Sequence, residues 1–383
     1  MPTAGLRAPS KRLAAGLAGL LLLAVPAGGV GAADVYDSQR EAFKLVEVVS
    51  GLDSPWGLAF LPEGDMLVTE RTGQLRLIRD GKLQSEPIAG LPEIEEVGQG
   101  GLLDVLPHPD FAENRFLYFS YAGRQAGHYG TEVARARLTD EGIVGFNPLL
   151  TVLPKTGGGR HFGSRLVFDS QGRLYITSGD RGSPDRSQDL NDMAGTVLRL
   201  EADGQIPADN PFVGQDGVRP EIFSYGHRNP QGLARRPGTD QIWAVEHGPR
   251  GGDELNLVTA GTNYGWPVIT YGRSYAGFSI GEGTEKEGMA QPAKYWVPSI
   301  SPSGLAFYDG AAFPQWQGNL FLGALSGEAL VRLELEGDKV VNEERLLENL
   351  GERIRDVRQG PDGFLYLLTD GGGGKLLRLE PAS

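Results

Sequence analysis

The 383-residue chain contains no cysteine. Disulfides and thiolate metal sites are therefore excluded, and any bound metal must be held by oxygen or imidazole. Histidine is scarce, at five residues. No basic block follows the first dozen residues, and the net charge is −13. Nucleic acid is excluded as a partner on this ground, because neutralising phosphates needs clustered cations. Long hydrophobic runs are also missing. The apolar stretch at residues 13–25 is too short for a comfortable membrane span. No G-x-S-x-G elbow and no EF-hand pattern occurs.

What is present points to many short strands. The chain has 57 glycines and 25 prolines, with 40% hydrophobic residues. That is a turn-rich composition with enough apolar material for a large core. The first 33 residues have the pattern of a secretory signal peptide. Arg7, Lys11 and Arg12 precede the apolar stretch, and Gly31-Ala32-Ala33 offers small residues for cleavage. The expected location is periplasmic or secreted, by the general secretory route since twin arginines are absent. An uncleaved anchor is the alternative; cleavage would leave no stable membrane insertion. Residues 34–383 are then expected to form the mature domain.

A hairpin pattern recurs along that domain. Each copy is an apolar strand, a polar turn with Asp, Gly or Pro, and a second apolar strand. The copies open at Gly57-Leu58-Ala59, Gly101-Leu102-Leu103, Arg165-Leu166-Val167, Gly232-Leu233-Ala234, Gly304-Leu305-Ala306 and Asp356-Val357-Arg358. Period-two strands in six related units predict an all-β fold, a six-bladed β-propeller with four-stranded antiparallel blades. A β-sandwich or two smaller β-domains is the competing arrangement, but no Pro/Ser-rich linker divides the chain. The strand beginning at Phe43 is expected to complete the last blade and close the ring, removing an open edge. Gly371-Gly372-Gly373-Gly374 reads as a flexible loop.

Several residues could carry chemistry. Arg228 and Asn229 sit side by side on a turn between apolar runs. Soon after comes Glu246-His247-Gly248-Pro249-Arg250-Gly251-Gly252-Asp253-Glu254, rich in carboxylates and in glycines that can turn carbonyls outward. A fixed cation beside such a loop suits a polyanion held with a hard metal ion, and calcium accepts this donor set. A metal-free acidic turn is the bland alternative. His161 lies on the glycine run before a strand, where an imidazole can act as a base near neutral pH; a plain surface histidine is the other reading. Gln99, also just before a strand, could orient a hydroxyl or merely form a turn. Arg353 and Arg355 flank Ile354, so on a strand both face one side, ready for carboxylates or for solvent.

Taken together these motifs resemble the soluble quinoprotein glucose/sorbosone dehydrogenases, in particular their aldose sugar dehydrogenase branch. The carriers are Gly98-Gln99-Gly100-Gly101-Leu102-Leu103, His161-Phe162-Gly163-Ser164-Arg165-Leu166, Gly226-His227-Arg228-Asn229-Pro230-Gln231-Gly232, the loop at residues 246–254, Asn263-Tyr264-Gly265-Trp266-Pro267 and Arg353-Ile354-Arg355-Asp356-Val357. The likeness spans residues 45–379. It implies oxidation of aldose sugars to lactones at the anomeric carbon, with pyrroloquinoline quinone (PQQ) and Ca²⁺. It implies His161 as base, Gln99 and Arg228 holding substrate and the quinone oxygens, and Asn229, Arg353, Ile354 and Arg355 around the cofactor. Tyr275 and the Ala324-Leu325-Ser326 turn are implied in the same pocket. The carbonyls of Gly248 and Pro249 are implied calcium ligands, and Glu254 with the Tyr264 carbonyl a second calcium site. The resemblance leaves the electron acceptor open, a quinone and a cytochrome being the two candidates. Two departures stand out. Ser326 falls where the family often has lysine, and Arg160 where glucose-preferring relatives carry an acid. The cation at Arg160 should depress the pKa of His161. Two other functions compete: a calcium-dependent lactonase on a propeller, and a non-catalytic carbohydrate- or protein-binding propeller.

Overall fold

The computed structural model describes residues 34–382. The expected signal peptide, residues 1–33, lies outside the described residues. Among the described residues no helix is long and apolar enough to cross a membrane.

Six antiparallel sheets form the blades of a propeller. Their innermost strands, in blade order, are Pro55–Phe60, Leu102–Pro107, Leu166–Phe168, Pro230–Arg235, Pro302–Phe307 and Ile354–Gln359. In blades 1 to 5 each heads a sheet that runs outward in chain order through the next three strands, as the hairpin pattern predicts. Blade 6 departs from four strands. Strand Ala42–Asp53 pairs with Gly372–Pro381, Leu45 opposite Leu379, and Val35–Asp37 adds a fifth strand outside it. This closes the ring as expected. The glycine run at 371–374 is not a free loop: Gly372 and Gly374 pair with Asp53 and Leu52 inside the closing strand. A Cβ on Gly374 would lie 2.6 Å from the Pro55 ring. Gly374 serves close packing, while Gly371 and Gly373 take positive φ values of 100° and 76°.

Apolar cores fill the spaces between blades. Trp243, Val245, Leu320 and Val331 join blades 4 and 5, and Leu67, Leu75, Leu117 and Phe119 join blades 1 and 2. The axis is filled differently. Arg165, 1% exposed at its side chain, lies 3.2 Å from both Asp104 and Asp356. Arg358 reaches the same two carboxylates at 3.1 and 3.0 Å. Asp104 also accepts the Leu166 N–H of blade 3, and Asp356 the Leu58 N–H of blade 1. The carboxylates therefore stitch blades as well as balance charge. The recurring glycine that opens several inner strands makes room for this. A Cβ on Gly57 would sit 2.8 Å from Asp104 Oδ1, and one on Gly304 2.2 Å from Asp356 Oδ1.

Removing Arg165 would leave two buried carboxylates undercompensated. Arg165→Leu should lower stability by about 3–5 kcal/mol, measured as a reduced urea midpoint.

Candidate functional site

The expected residues gather at one end of the axis. Gln99, His161, Arg228, Asn229 and Arg353 each stand just before the innermost strand of blades 2, 3, 4, 4 and 6. The start of an inner strand is where the six blades converge, so segments distant in sequence meet there.

His161 is buried and adopts a positive φ of 55°. Its N–H donates to Gln99 Oε1 at 2.7 Å, and its Nδ1 lies 2.6 Å from Asp180 Oδ1. The loops bearing Gln99 and His161 touch closely enough that a Cβ on Gly98 would lie 2.3 Å from the Gly159 carbonyl. Asp180 is fully buried and also accepts the Gly182 N–H and the Trp266 indole N–H, at 2.7 and 2.9 Å. With Nδ1–H committed to a carboxylate, Nε2 is left as the ring's acceptor. Burial lowers the His161 pKa below its ordinary value; Asp180 opposes this, while Arg228 and Arg160 add to it. The expected effect of Arg160 is present, behind burial and Arg228. Burial acts to raise the Asp180 pKa, but the His161 contact, the Gly182 N–H and Arg228 outweigh it and hold the carboxyl below its usual range.

Arg228 donates to the His247 and Gly248 carbonyls at 3.1 and 2.7 Å and lies over the Trp266 ring. Its backbone N–H donates to Glu246. Asn229 Oδ1 accepts the Gly163 N–H at 3.1 Å and the Gln231 amide at 3.2 Å. Gln231 Oε1 in turn accepts from Arg355 Nη1 at 3.2 Å. Arg353 and Arg355 each donate to Asp370, at 3.0 Å. Two hydrogen-bonded groups result, one of Gln99, His161 and Asp180 and the other of Asn229, Gln231, Arg355 and Asp370; the Asp180 backbone N–H donates to the Arg228 carbonyl, just before Asn229. Ile354 is buried between the two arginines in the sequence. His247 lies near Arg228, Arg355 and His161. Burial, reinforced by those cations, pushes its pKa down to about 3.

The implied metal ligands separate into two places. Gly248, Glu254 and Tyr264 line a cavity of about 10 Å³, with Glu246 and Arg228. That is room for roughly one water-sized sphere. Pro249 instead lines a neighbouring cleft of about 720 Å³ together with Tyr275 and Ser326. Ala324 and Leu325 are buried, leaving Ser326 as the exposed residue of that turn. Asp253, part of the acidic loop, is spent on structure: it accepts the N–H groups of Gly248, Ile300 and Ser301.

The arrangement fits the groups the resemblance implies. Among the described residues Arg228 has no carboxylate on its guanidinium, and Arg353 and Arg355 share one, so the cup holds cations that a polyanion would balance. At the small cavity, burial and the nearby Glu246 raise the Glu254 pKa to about 8. Asn256 turns its amide N–H toward Glu246 and Glu254, and its buried Oδ1 has no partner among the described residues. Two crowded carboxylates beside the Gly248 and Tyr264 backbone are a donor set for a hard cation. No cluster of three His, Asp or Glu side chains occurs among the described residues, so carbonyls would supply the remaining ligands.

Sequence reasoning gave no role to Asp180, Gln231 or Asp370. The site is thus that of a propeller with a cation-rich axial cup and a carboxylate-held histidine. The chain matches the glucose/sorbosone dehydrogenase family model over residues 52–378, and it belongs to that family. It is 47% identical to the aldose sugar dehydrogenase YliI of Escherichia coli (strain K12), over 343 residues covering 88% of this chain and 92% of that protein. It resembles the crystal structure of the soluble aldose sugar dehydrogenase from Escherichia coli in the apo-form, with TM-score 0.86 and 46% identity over 88% of this chain and 99% of the other. It also resembles the PQQ-bound form of aldose sugar dehydrogenase from Streptomyces coelicolor, with TM-score 0.73 and 30% identity over 88% and 98%.

The His161 ring should titrate below its ordinary pKa by NMR, and Asp180→Asn should lower it further by removing the group that holds the proton. The unfolded chain protonates this ring at pH values where the folded chain does not. Stability should therefore rise with pH between the folded and unfolded pKa values, and be lost as pH falls below about 6.5.

Proposed function

We propose that this chain is a PQQ-dependent aldose dehydrogenase that oxidises the anomeric carbon to a lactone, with Ca²⁺ beside the cofactor. The observation that carries this reading is the gathering, at the starts of inner strands, of a carboxylate-held His161, an Arg228 guanidinium that donates to backbone carbonyls and the Arg353–Arg355 pair on one shared carboxylate. When bound, PQQ supplies a two-electron acceptor and calcium polarises it.

The protein's own work is positional and acid–base. His161 Nε2 takes the proton of the anomeric hydroxyl as the C–H bond breaks. Asp180 fixes the tautomer that leaves Nε2 free and stabilises the protonated ring. Arg228 and the Gln99 amide hold sugar and quinone oxygens, while Asn229, Arg353 and Arg355 hold carboxylates. The carbonyls of Gly248, at the small cavity, and Pro249, at the neighbouring cleft, would hold the cofactor's calcium, and Glu254 with the Tyr264 carbonyl would hold a second ion. Broad aldose use suits Arg160, whose cation replaces an acid beside the base. A quinone or cytochrome is the proposed acceptor, and residues 1–33 the export signal that delivers the protein to the periplasm or outside. The family and the arginines favour this reading over a lactonase, which needs carboxylates and amides converging on one central ion.

Purified apoprotein should reduce dye with aldoses only when PQQ and calcium are both added; no gain, with PQQ shown not to bind, would overturn the reading. His161→Gln should cut kcat by roughly 10²–10⁴ while leaving PQQ binding in place. Calcium should raise the melting temperature, less so as pH falls below 8 because Glu254 must lose its proton, and Glu254→Gln should abolish most of the shift.

A further inference from the structure

The cleft beside the small cavity has features that the proposed roles leave unused. Arg250 and Arg273 exchange both backbone hydrogen bonds, at 3.0 and 3.3 Å, so they stand directly opposite each other. Side chains of such a pair project to the same face. Like charges placed there repel, and the arrangement is unfavourable unless something offsets it. No carboxylate lies within 4.0 Å of either guanidinium among the described residues. Both arginines are exposed and both line the cleft of about 720 Å³. Ser301 and Ser326 line it too, their hydroxyls 2.9 Å apart and able to turn a donor outward, while the Ser299 hydroxyl donates to Asp253.

The backbone is built to bring the two strands this close. A Cβ on Gly252 would lie 2.4 Å from the Gly272 nitrogen, and one on Gly272 2.4 Å from the Gly251 carbonyl. Only glycines allow the loop at 248–252 to meet the segment at 271–273. The cleft also opens beside the axial cup. Arg250 is two residues from Gly248, whose carbonyl Arg228 holds. Tyr275, 72% exposed, and Val297, 60% exposed, give the cleft an apolar wall. Two guanidiniums, the Ser301 and Ser326 hydroxyls and an exposed ring suit an organic anion, not a bare ion.

We propose that Arg250 and Arg273 form a carboxylate-binding rim to the axial site. Both guanidiniums grip one carboxylate through charge-assisted hydrogen bonds, which turns their mutual repulsion into ligand affinity. The carboxylate has two sources within the proposed function, on which this inference rests: the cofactor itself, or an acidic sugar such as glucuronic acid occupying the cleft.

The test uses Arg250→Gln, Arg273→Gln and the double variant. PQQ affinity is measured on the apoprotein by equilibrium dialysis with calcium. Loaded enzyme is then assayed on glucose and on glucuronic acid, and melting shifts with glucuronate are recorded without PQQ. A cofactor carboxylate predicts PQQ binding weakened about 10–100-fold in the double variant, with the preference between the two sugars unchanged. A sugar carboxylate predicts unchanged PQQ binding, a fall of similar size in kcat/KM for glucuronic acid alone, and loss of the glucuronate melting shift. Either result supports the rim. Unchanged PQQ binding, sugar preference and melting shifts overturn it. Variants that melt well below the wild type would also overturn it, since relieving repulsion should leave stability equal or higher. A wild-type protein that binds no PQQ defeats the proposed function separately; the glucuronate melting shift then decides the rim alone.

Discussion

The pairing of Arg165 and Arg358 with Asp104 and Asp356 sets the geometry on which the rest depends. Four charges removed from water must satisfy one another, and their geometry leaves little freedom. Asp104 belongs to blade 2, Arg165 leads into blade 3, and Asp356 and Arg358 belong to blade 6. Fixing these strands at the axis fixes where each begins, and the functional side chains stand at those beginnings. A propeller could fill its centre with apolar side chains at less electrostatic risk. Here the polar centre continues directly into the polar cup, through Arg165 Nε to the Gln231 carbonyl and Gln231 Oε1 to Arg355.

The cup's electrostatics follow from how its cations are paired. Acidic partners are spent before they reach the open centre: Glu246 on His227 and a backbone N–H, Asp370 on two arginines, Asp253 on three N–H groups. What remains facing inward is positive, within a chain whose net charge is −13. The same surroundings hold His161 and His247 neutral, one beside a carboxylate and one against the Pro302 carbonyl. Two imidazoles in one cup therefore differ in what they can do. His161 keeps a carboxylate able to stabilise its charged form, whereas His247 has only a carbonyl.

Much of the fold was legible because it is local. Alternating strands and their turns announce each hairpin, and the recurring Gly-Leu pair marks inner strands whose glycine faces a crowded axis. The closing role of the strand at Phe43 followed from the need to cover an edge. The misreading at residues 371–374 came from composition: four glycines suggest a loop, but pairing with residues 52–53 overrides that preference. The fifth strand of blade 6, Val35–Asp37, is too short to stand out. For the candidate site, His161, Gln99, Arg228 and Arg355 were visible as polar residues before strands. Asp180 and Asp370 were not, because each sits after the second strand of its blade, where an acidic turn residue looks ordinary. Only the folded register brings Asp180 to His161 and Asp370 between Arg353 and Arg355. Gln231 was masked in the same way, since its side-chain partners come from blades 3 and 6.

The joining of strand Ala42–Asp53 to Gly372–Pro381 also imposes an order in time. A chain made from its amino end produces one half of blade 6 first and the other half last. Until strand Gly372–Pro381 emerges, strand Ala42–Asp53 has only the short Val35–Asp37 beside it. The ring therefore cannot be completed before that strand has been made. Folding to the finished circle is an act of the whole chain at once, and the absence of cysteine means no covalent cross-link can lock in a premature pairing while the strand waits.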